Sequence, residues 1–241
     1  GMLPALGGAA IARDGMPRLF MAGGETMAAG LSRAWRAALP KAALADIYGL
    51  TETSTCDFFL PPADQARYPG TIGTPMPRVD YAILDGELAI NTPFIMAGYL
   101  DAPELTAAAF RDGHFRTGDL AEVTAEGRVR LVGRAKELIH RAGNKVSPLE
   151  VERVFLEHPA VAEALATGLP DMRLGEAIHL LIVPTPGADA RPAELRAWAA
   201  ERLDRYKLPD AIHLGAAIPL GRTGKADRAA LRAALLGSLT T

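Results

Sequence analysis

The apolar residues between Arg18 and Ala22 form a short strand-like run, which breaks at Gly23-Gly24-Glu25-Thr26. Apolar positions then resume at helical spacing through Leu31, Trp35 and Leu39. A second run, Ala43 to Tyr48, stops at Gly49. Strand, helix, strand with glycine at the strand end predicts a parallel α/β sheet, whose ligand crevices lie beyond the carboxyl ends of its strands. Gly23 to Thr26 and Gly49 to Thr53 are the two crevice loops of that reading. From Pro69 to Val132 the pattern shortens to Tyr81–Leu84, Leu88–Ile90 and Val129–Val132, punctuated by Asp85-Gly86 and Glu126-Gly127. This predicts an antiparallel sheet or partial barrel, interrupted by one helix over Ala102 to Phe110. Ser147-Pro148-Leu149-Glu150 reads as a capping box with proline at the first helical position, and Val146 and Val151 stand where a hydrophobic staple sits. The helix it opens buries Val151, Val154 and Phe155 and ends near His158-Pro159. Strands at Val161–Thr167 and Ala177–Val183, a helix around Leu195 and Trp198 and a last helix around Leu231 and Leu235 complete an α+β unit. The expected organisation is therefore a mixed α/β domain over 1–135 and a small α+β domain over 136–241.

Composition narrows the chemistry. The 241 residues carry 26 Lys+Arg against 28 Asp+Glu, and no basic run, which argues against nucleic acid or an anionic membrane as the main partner. Cys56 is the single cysteine, so neither an internal disulfide nor a thiolate metal cluster is expected, which suits a cytoplasmic setting. The longest strongly apolar run, Ala177 to Val183, is far short of the ~20 residues that span a bilayer. The start lacks the basic segment of a secretion signal. His114, His140, His158, His179 and His213 are scattered without zinc-hydrolase pairing, and there is no Gly-x-Ser-x-Gly elbow.

Four segments carry candidate chemistry. Gly49-Leu50-Thr51-Glu52-Thr53 offers amides, two hydroxyls and a carboxylate, an inventory for a nucleotide phosphate and Mg²⁺; the same loop also reads as a helix cap. Arg116-Thr117-Gly118-Asp119 places an acid where a ribose's hydroxyls can be accepted, or where a turn needs an aspartate. Gly133-Arg134-Ala135-Lys136-Glu137 lies between the two expected domains, as a hinge or a solvated linker. Gly221-Arg222-Thr223-Gly224-Lys225 fails the spacing of a nucleoside-triphosphatase loop, yet a lysine on a glycine turn serves as a mobile charge for phosphate or carboxylate.

In this order the segments resemble the carboxyl-terminal half of the adenylate-forming (AMP-binding) superfamily, of acyl-CoA synthetase type. Tyr48-Gly49-Leu50-Thr51-Glu52-Thr53, Gly70-Thr71-Ile72-Gly73, Gly86-Glu87-Leu88, Arg116-Thr117-Gly118-Asp119, Gly133-Arg134, Gly143 with Val146 and Glu150, and Gly224-Lys225 carry the likeness across nearly the whole chain. The resemblance implies a partial adenylation domain followed by a mobile C-terminal domain. It implies an ATP-dependent acid–thiol ligase that joins a carboxylic acid to AMP and then to CoA, in the setting of fatty-acid metabolism. Tyr48 is then expected to stack on adenine, with Gly23, Gly24, Glu25, Asp46 and Gly49 around the base. Thr51 is expected at the α-phosphate, Glu52 at Mg²⁺, Asp119 and Arg134 at the ribose, and Lys225 between carboxylate and phosphate. Lys136 takes the hinge position, and Gly143 lines the thiol path, with Arg141 and Lys145 near CoA.

The family's glycine- and serine-rich pyrophosphate loop lies upstream of the Tyr-Gly-x-Thr-Glu segment and is missing here, so a fragment that is weak or inactive alone is expected. Its exposed edge would favour homodimerisation. The short tail after Lys225 favours a free-standing ligase over a peptide-synthetase module, and Phe58 and Phe59 lean towards an apolar acid. The alternative is a non-catalytic AMP-binding or partner-binding remnant of such an enzyme. An unrelated structural protein is the third possibility, and it predicts no adenosine affinity.

Overall fold

In the computed structural model the described residues are 18–24, 27, 29–54 and 56–239. The chain divides into two compact units, 1–131 and 132–241, a division four residues ahead of the one read from the sequence.

The first unit holds two sheets. One has the order β1 (Leu19–Gly23), β2 (Ala43–Tyr48), β3 (Phe58–Leu60), β4 (Thr74–Pro75). β1 and β2 are parallel, Leu19 opposite Ala43 and Gly23 opposite Ile47, with helix α1 (Ala29–Ala38) between them in sequence. β3 and β4 add antiparallel. β1 is an edge strand, and Leu19 and Met21 on it are exposed, while Phe20 packs on the Trp35 ring of α1 at 5.2 Å between centroids. The second sheet is antiparallel along the path β5 (Asp80–Leu84), β6 (Glu87–Asn91), β8 (His114–Val123), β7 (Phe110–Arg111), with β9 (Val129–Arg134) on β8. The expected helix is shorter than read, α2 (Pro103–Ala108).

A core of Phe58, Ile72, Leu88, Ile90, Ala121, Val129 and Leu131 joins the two sheets, and the Phe58 ring meets Tyr48 and Tyr81 edge-on. Gly73 makes this junction possible. Its φ is +85°, and a Cβ there would stand 2.0 Å from the Phe59 carbonyl oxygen, so only glycine brings β3 this close while bridging to Val129.

The second unit is a five-stranded sheet along β11 (Asn144–Val146), β10 (Ile139–Arg141), β13 (Gly175–Pro184), β12 (Val161–Asp171), with β14 (Ala211–Leu214) parallel to β13. Helices α3 (Pro148–Leu156), α4 (Pro192–Ala200) and α5 (Arg228–Leu239) accompany it. Val146, Val151, Phe155, Ile178, Leu180, Ile182 and Leu195 form the core, which includes both halves of the expected staple.

The capping box of α3 is only half formed. Ser147 Oγ accepts from Glu150 N at 3.4 Å, but the Glu150 carboxylate turns to Lys207 Nζ at 2.7 Å, an ion pair that holds the Lys207 ammonium above its ordinary range. A buried pair fastens the ends of the unit together. Glu152 accepts from Ala166 N at 2.7 Å and from the guanidinium of Arg228, whose Nε also donates to Glu137 Oε2 at 2.7 Å. Burial pushes the Glu152 carboxyl up, and Arg228 offsets part of that. His179 is a strand residue as read: its Nδ1 lies 3.0 Å from Nε2 of His213 on β14, and burial together with that neighbour lowers its basicity. Among the described residues no helix is long and apolar enough to cross a membrane.

Candidate functional site

β2 delivers the first group of candidates. Asp46 is 3% exposed; it accepts from the backbones of Met27 and Ile47, and burial raises its carboxyl to about 6. It thereby ties the loop after β1 to the middle of β2. Gly23 ends β1 opposite Ile47, and Gly24 follows with φ +93°; Glu25, expected beside the base, lies outside the described residues. Tyr48 closes β2, and its hydroxyl donates to Asp119 Oδ2 at 2.7 Å. These residues are 71 positions apart, on different sheets, and Asp119 is buried. The expected adenine and ribose residues of this unit are thus adjacent.

Beyond Gly49 the chain makes one 3-10 turn, Thr51–Thr53. The sequence counts two hydroxyls in this segment, and the structure separates them. Thr51 is exposed, but Thr53 is 3% exposed and donates to Leu50 O at 3.2 Å and to the Asp57 carboxylate. Asp57 is itself buried, with its carboxyl raised by that burial, and it closes the turn from below. Glu52 is half-buried; its Oε1 accepts from the Tyr99 hydroxyl at 3.1 Å and its carbonyl from Met96 N at 2.7 Å. Burial, and then the Glu52 carboxylate, push the Tyr99 phenol up. The sequence reading missed Asp57 and Tyr99; the acid four residues after Thr53 was the available signal for the first, and nothing local marked the second. Cys56 is half-buried with its thiol raised by burial and by Asp57, the environment of an unreactive cysteine.

The remaining candidates stand in the second unit. Arg134 ends β9 and is exposed. Lys136 is the middle residue of a 3-10 turn, Ala135–Glu137, and exposed. Gly143 sits with Ala142 in the two-residue turn between β10 and β11, both at positive φ, +82° and +48°. That is the twist a tight hairpin needs. Ala142 N donates to Leu174 O at 2.6 Å, so this turn is held against the β12–β13 connection. Arg141, expected near CoA together with Lys145, is engaged by Asp210, Nη2 to Oδ1 at 2.6 Å. Lys225 is exposed on a loop closed by Gly221 N donating to its carbonyl at 2.8 Å and by the turn at Gly224, φ +77°.

No group of three His, Cys, Asp or Glu side chains able to hold a metal occurs among the described residues. A lone carboxylate such as Glu52 matches Mg²⁺, which usually takes one or two protein carboxylates and completes its shell with phosphate oxygens and water.

A family model described as AMP-binding enzyme matches residues 5–100, and one described as AMP-binding enzyme C-terminal domain matches 150–225. The chain is 33% identical over 195 residues to the oxalate–CoA ligase of Arabidopsis thaliana, covering 76% of this chain and 38% of that protein. It is 35% identical over 200 residues to the long-chain-fatty-acid–CoA ligase of Bacillus subtilis, covering 76% and 34%. It spans less than two fifths of the length of both. Among solved structures, the amide bond synthetase McbA of Marinactinospora thermotolerans superposes with a TM-score of 0.85 at 30% identity, covering 90% of this chain and 46% of that one. ATP-bound MatB of Rhodopseudomonas palustris superposes with 0.82 at 27% identity, covering 96% and 49%.

Proposed function

The chain belongs to the AMP-binding, adenylate-forming enzymes, and on that premise we propose that it is the carboxyl-terminal part of an ATP-dependent acyl-CoA ligase. In the reaction proposed, a carboxylate oxygen bonds to the α-phosphorus of ATP as the bond to pyrophosphate breaks. A CoA thiol then attacks the acyl carbonyl, loses its proton and releases AMP. The observation that carries this reading is the bond from Tyr48 to the buried Asp119, which sets an aromatic face beside a carboxylate as an adenosine requires.

Each residue has a part in it. Tyr48 stacks on adenine while Asp46, Gly23, Gly24, Glu25 and Gly49 border the base. Asp119 and Arg134 take the ribose hydroxyls. Thr51, exposed at the start of its turn, donates to the α-phosphate. Glu52, fixed by Tyr99, is the residue to hold Mg²⁺, which when bound neutralises phosphate charge. Lys225 brings a positive charge to carboxylate and phosphate; one such interaction in a water-excluded site is worth roughly 3 kcal/mol. Lys136 is the pivot about which the second unit turns between the two steps, and Gly143 borders the thiol path. CoA is favoured as acceptor by the ligases named above, although one structural relative is an amide bond synthetase.

The test is calorimetric titration of AMP into the chain and into Asp119→Ala. Binding by the first and loss in the second supports the reading. Equal binding by both refutes the ribose role of Asp119, and binding by neither refutes a nucleotide site in this chain. Thioester formation from a preformed acyl-adenylate then separates a ligase from a non-catalytic AMP-binding protein.

A further inference from the structure

Opposite Leu88 the ladder between β6 and β8 loses its register. Glu87 faces Leu120 and Ala89 faces Arg116, so Thr117, Gly118 and Asp119 bow out against a single residue. A bulge of this kind strips backbone groups of their ladder partners, and buried ones must find others. Here side chains supply them. Glu87 Oε1 accepts from Gly118 N at 2.8 Å, Thr117 Oγ1 accepts from Asp119 N at 3.1 Å, and the Thr117 hydroxyl donates to Leu88 O at 2.7 Å. Gly118 has φ +77°, the left-handed conformation that turns the following residue out of the strand's alternation. Glu87 is 5% exposed, and its second oxygen accepts from Arg116 Nε at 3.0 Å and from the same guanidinium's Nη2.

A buried carboxylate is costly unless donors surround it. This one spends its bonds on the two residues flanking Thr117, within the bulge that ends in Asp119. The sequence motif Gly86-Glu87-Leu88 was noted without a role, and the structure gives its acid a specific target.

We propose that Glu87 is a positioning residue for ribose recognition: by clamping Gly118 N–H and Arg116 it fixes the bulge that aims the Asp119 carboxylate at the ribose hydroxyls. This rests on the nucleotide reading above. Glu87 touches no nucleotide itself, so its effect is felt through the hydroxyls alone, which distinguishes positioning from general support of the fold.

The experiment titrates AMP and 2′,3′-dideoxy-AMP into the wild-type chain, Glu87→Ala, Glu87→Gln and Thr117→Val. The wild type is expected to prefer AMP by about tenfold or more, the value of one or two good hydrogen bonds. Glu87→Ala is expected to reduce that preference to about threefold or less while its affinity for the dideoxy nucleotide stays unchanged. Glu87→Gln keeps an oxygen for Gly118 N–H and retains most of the preference. Thr117→Val, which breaks the same bulge from within, falls with Glu87→Ala and decides the matter if Glu87→Ala does not fold. Equal loss of affinity for both nucleotides in these variants, or an undiminished preference, overturns the proposal. AMP binding by the wild type with no preference over the dideoxy form overturns it while leaving the nucleotide site standing; binding of neither overturns both.

Discussion

Asp46→Asn separates burial from function at the centre of β2. The native carboxyl is raised from 3.8 to about 6 because it is desolvated, and the hydrogen bonds from Met27 and Ile47 only partly offset this. A raised acid favours its protonated form in the folded state, so its contribution to stability is fully present below pH 3.8 and is lost as pH climbs through 6. Linkage between those two values gives a cost that grows by roughly 2 kcal/mol from pH 4.5 to pH 7.5 and is flat above. Asparagine keeps an oxygen for the two backbone donors but cannot ionise. The expected result is that Asp46→Asn gains about 2 kcal/mol relative to the wild type over that interval, whatever its constant offset. Urea unfolding followed by Trp35 in a Trp198→Phe background reads the first unit alone, since the two tryptophans are divided between the units. A stability difference independent of pH between 4.5 and 7.5 would show that Asp46 is ionised in the folded chain without cost, and would refute the argument from burial.

Gly73→Ala forces a Cβ onto the Phe59 carbonyl at a positive φ and should unfold the first unit or cost more than ~3 kcal/mol, read by the same fluorescence. Phe155→Ala empties the core of the second unit and is expected to cost about 3–5 kcal/mol in Trp198-detected unfolding, with the Trp35 transition unmoved. Arg228→Met leaves Glu152 buried without its cation and should destabilise the second unit by about 3–5 kcal/mol; adding Glu152→Gln is expected to recover part of it, and a double-mutant cycle without recovery would contradict the pair's role. Ala142→Gly relieves a positive φ and should raise the second unit's stability by up to about 1 kcal/mol, checked by thermal melting.

Where a short apolar run stands between a turn and a glycine, its limits were legible: β2 spans Ala43–Tyr48, as read. The staple of Val146 and Val151 was legible too, because both halves lie within one helical turn of a proline that fixes the start. β14 was not, since four residues with a histidine among them carry no period, and only pairing with β13 makes them a strand. Side-chain direction was least legible. The Thr53 hydroxyl faces inward because Asp57 waits there, and Glu150 leaves its cap because Lys207 offers a stronger partner from 57 residues away. The meeting of Tyr48 and Asp119 follows from two sheets sharing Phe58, a long-range event that no local window contains. The bulge at Gly118 likewise depends on a carboxylate from another strand.

One guanidinium, that of Arg228, holds Glu137 beside Lys136 and Glu152 inside the second unit, while its own backbone begins α5 just past the Lys225 loop. The turn that carries Lys136 and the root of the Lys225 loop therefore share one anchor, made of charge-assisted bonds. Two segments 91 residues apart in the chain are thereby pinned to one half-buried arginine, whose loss would release both at once.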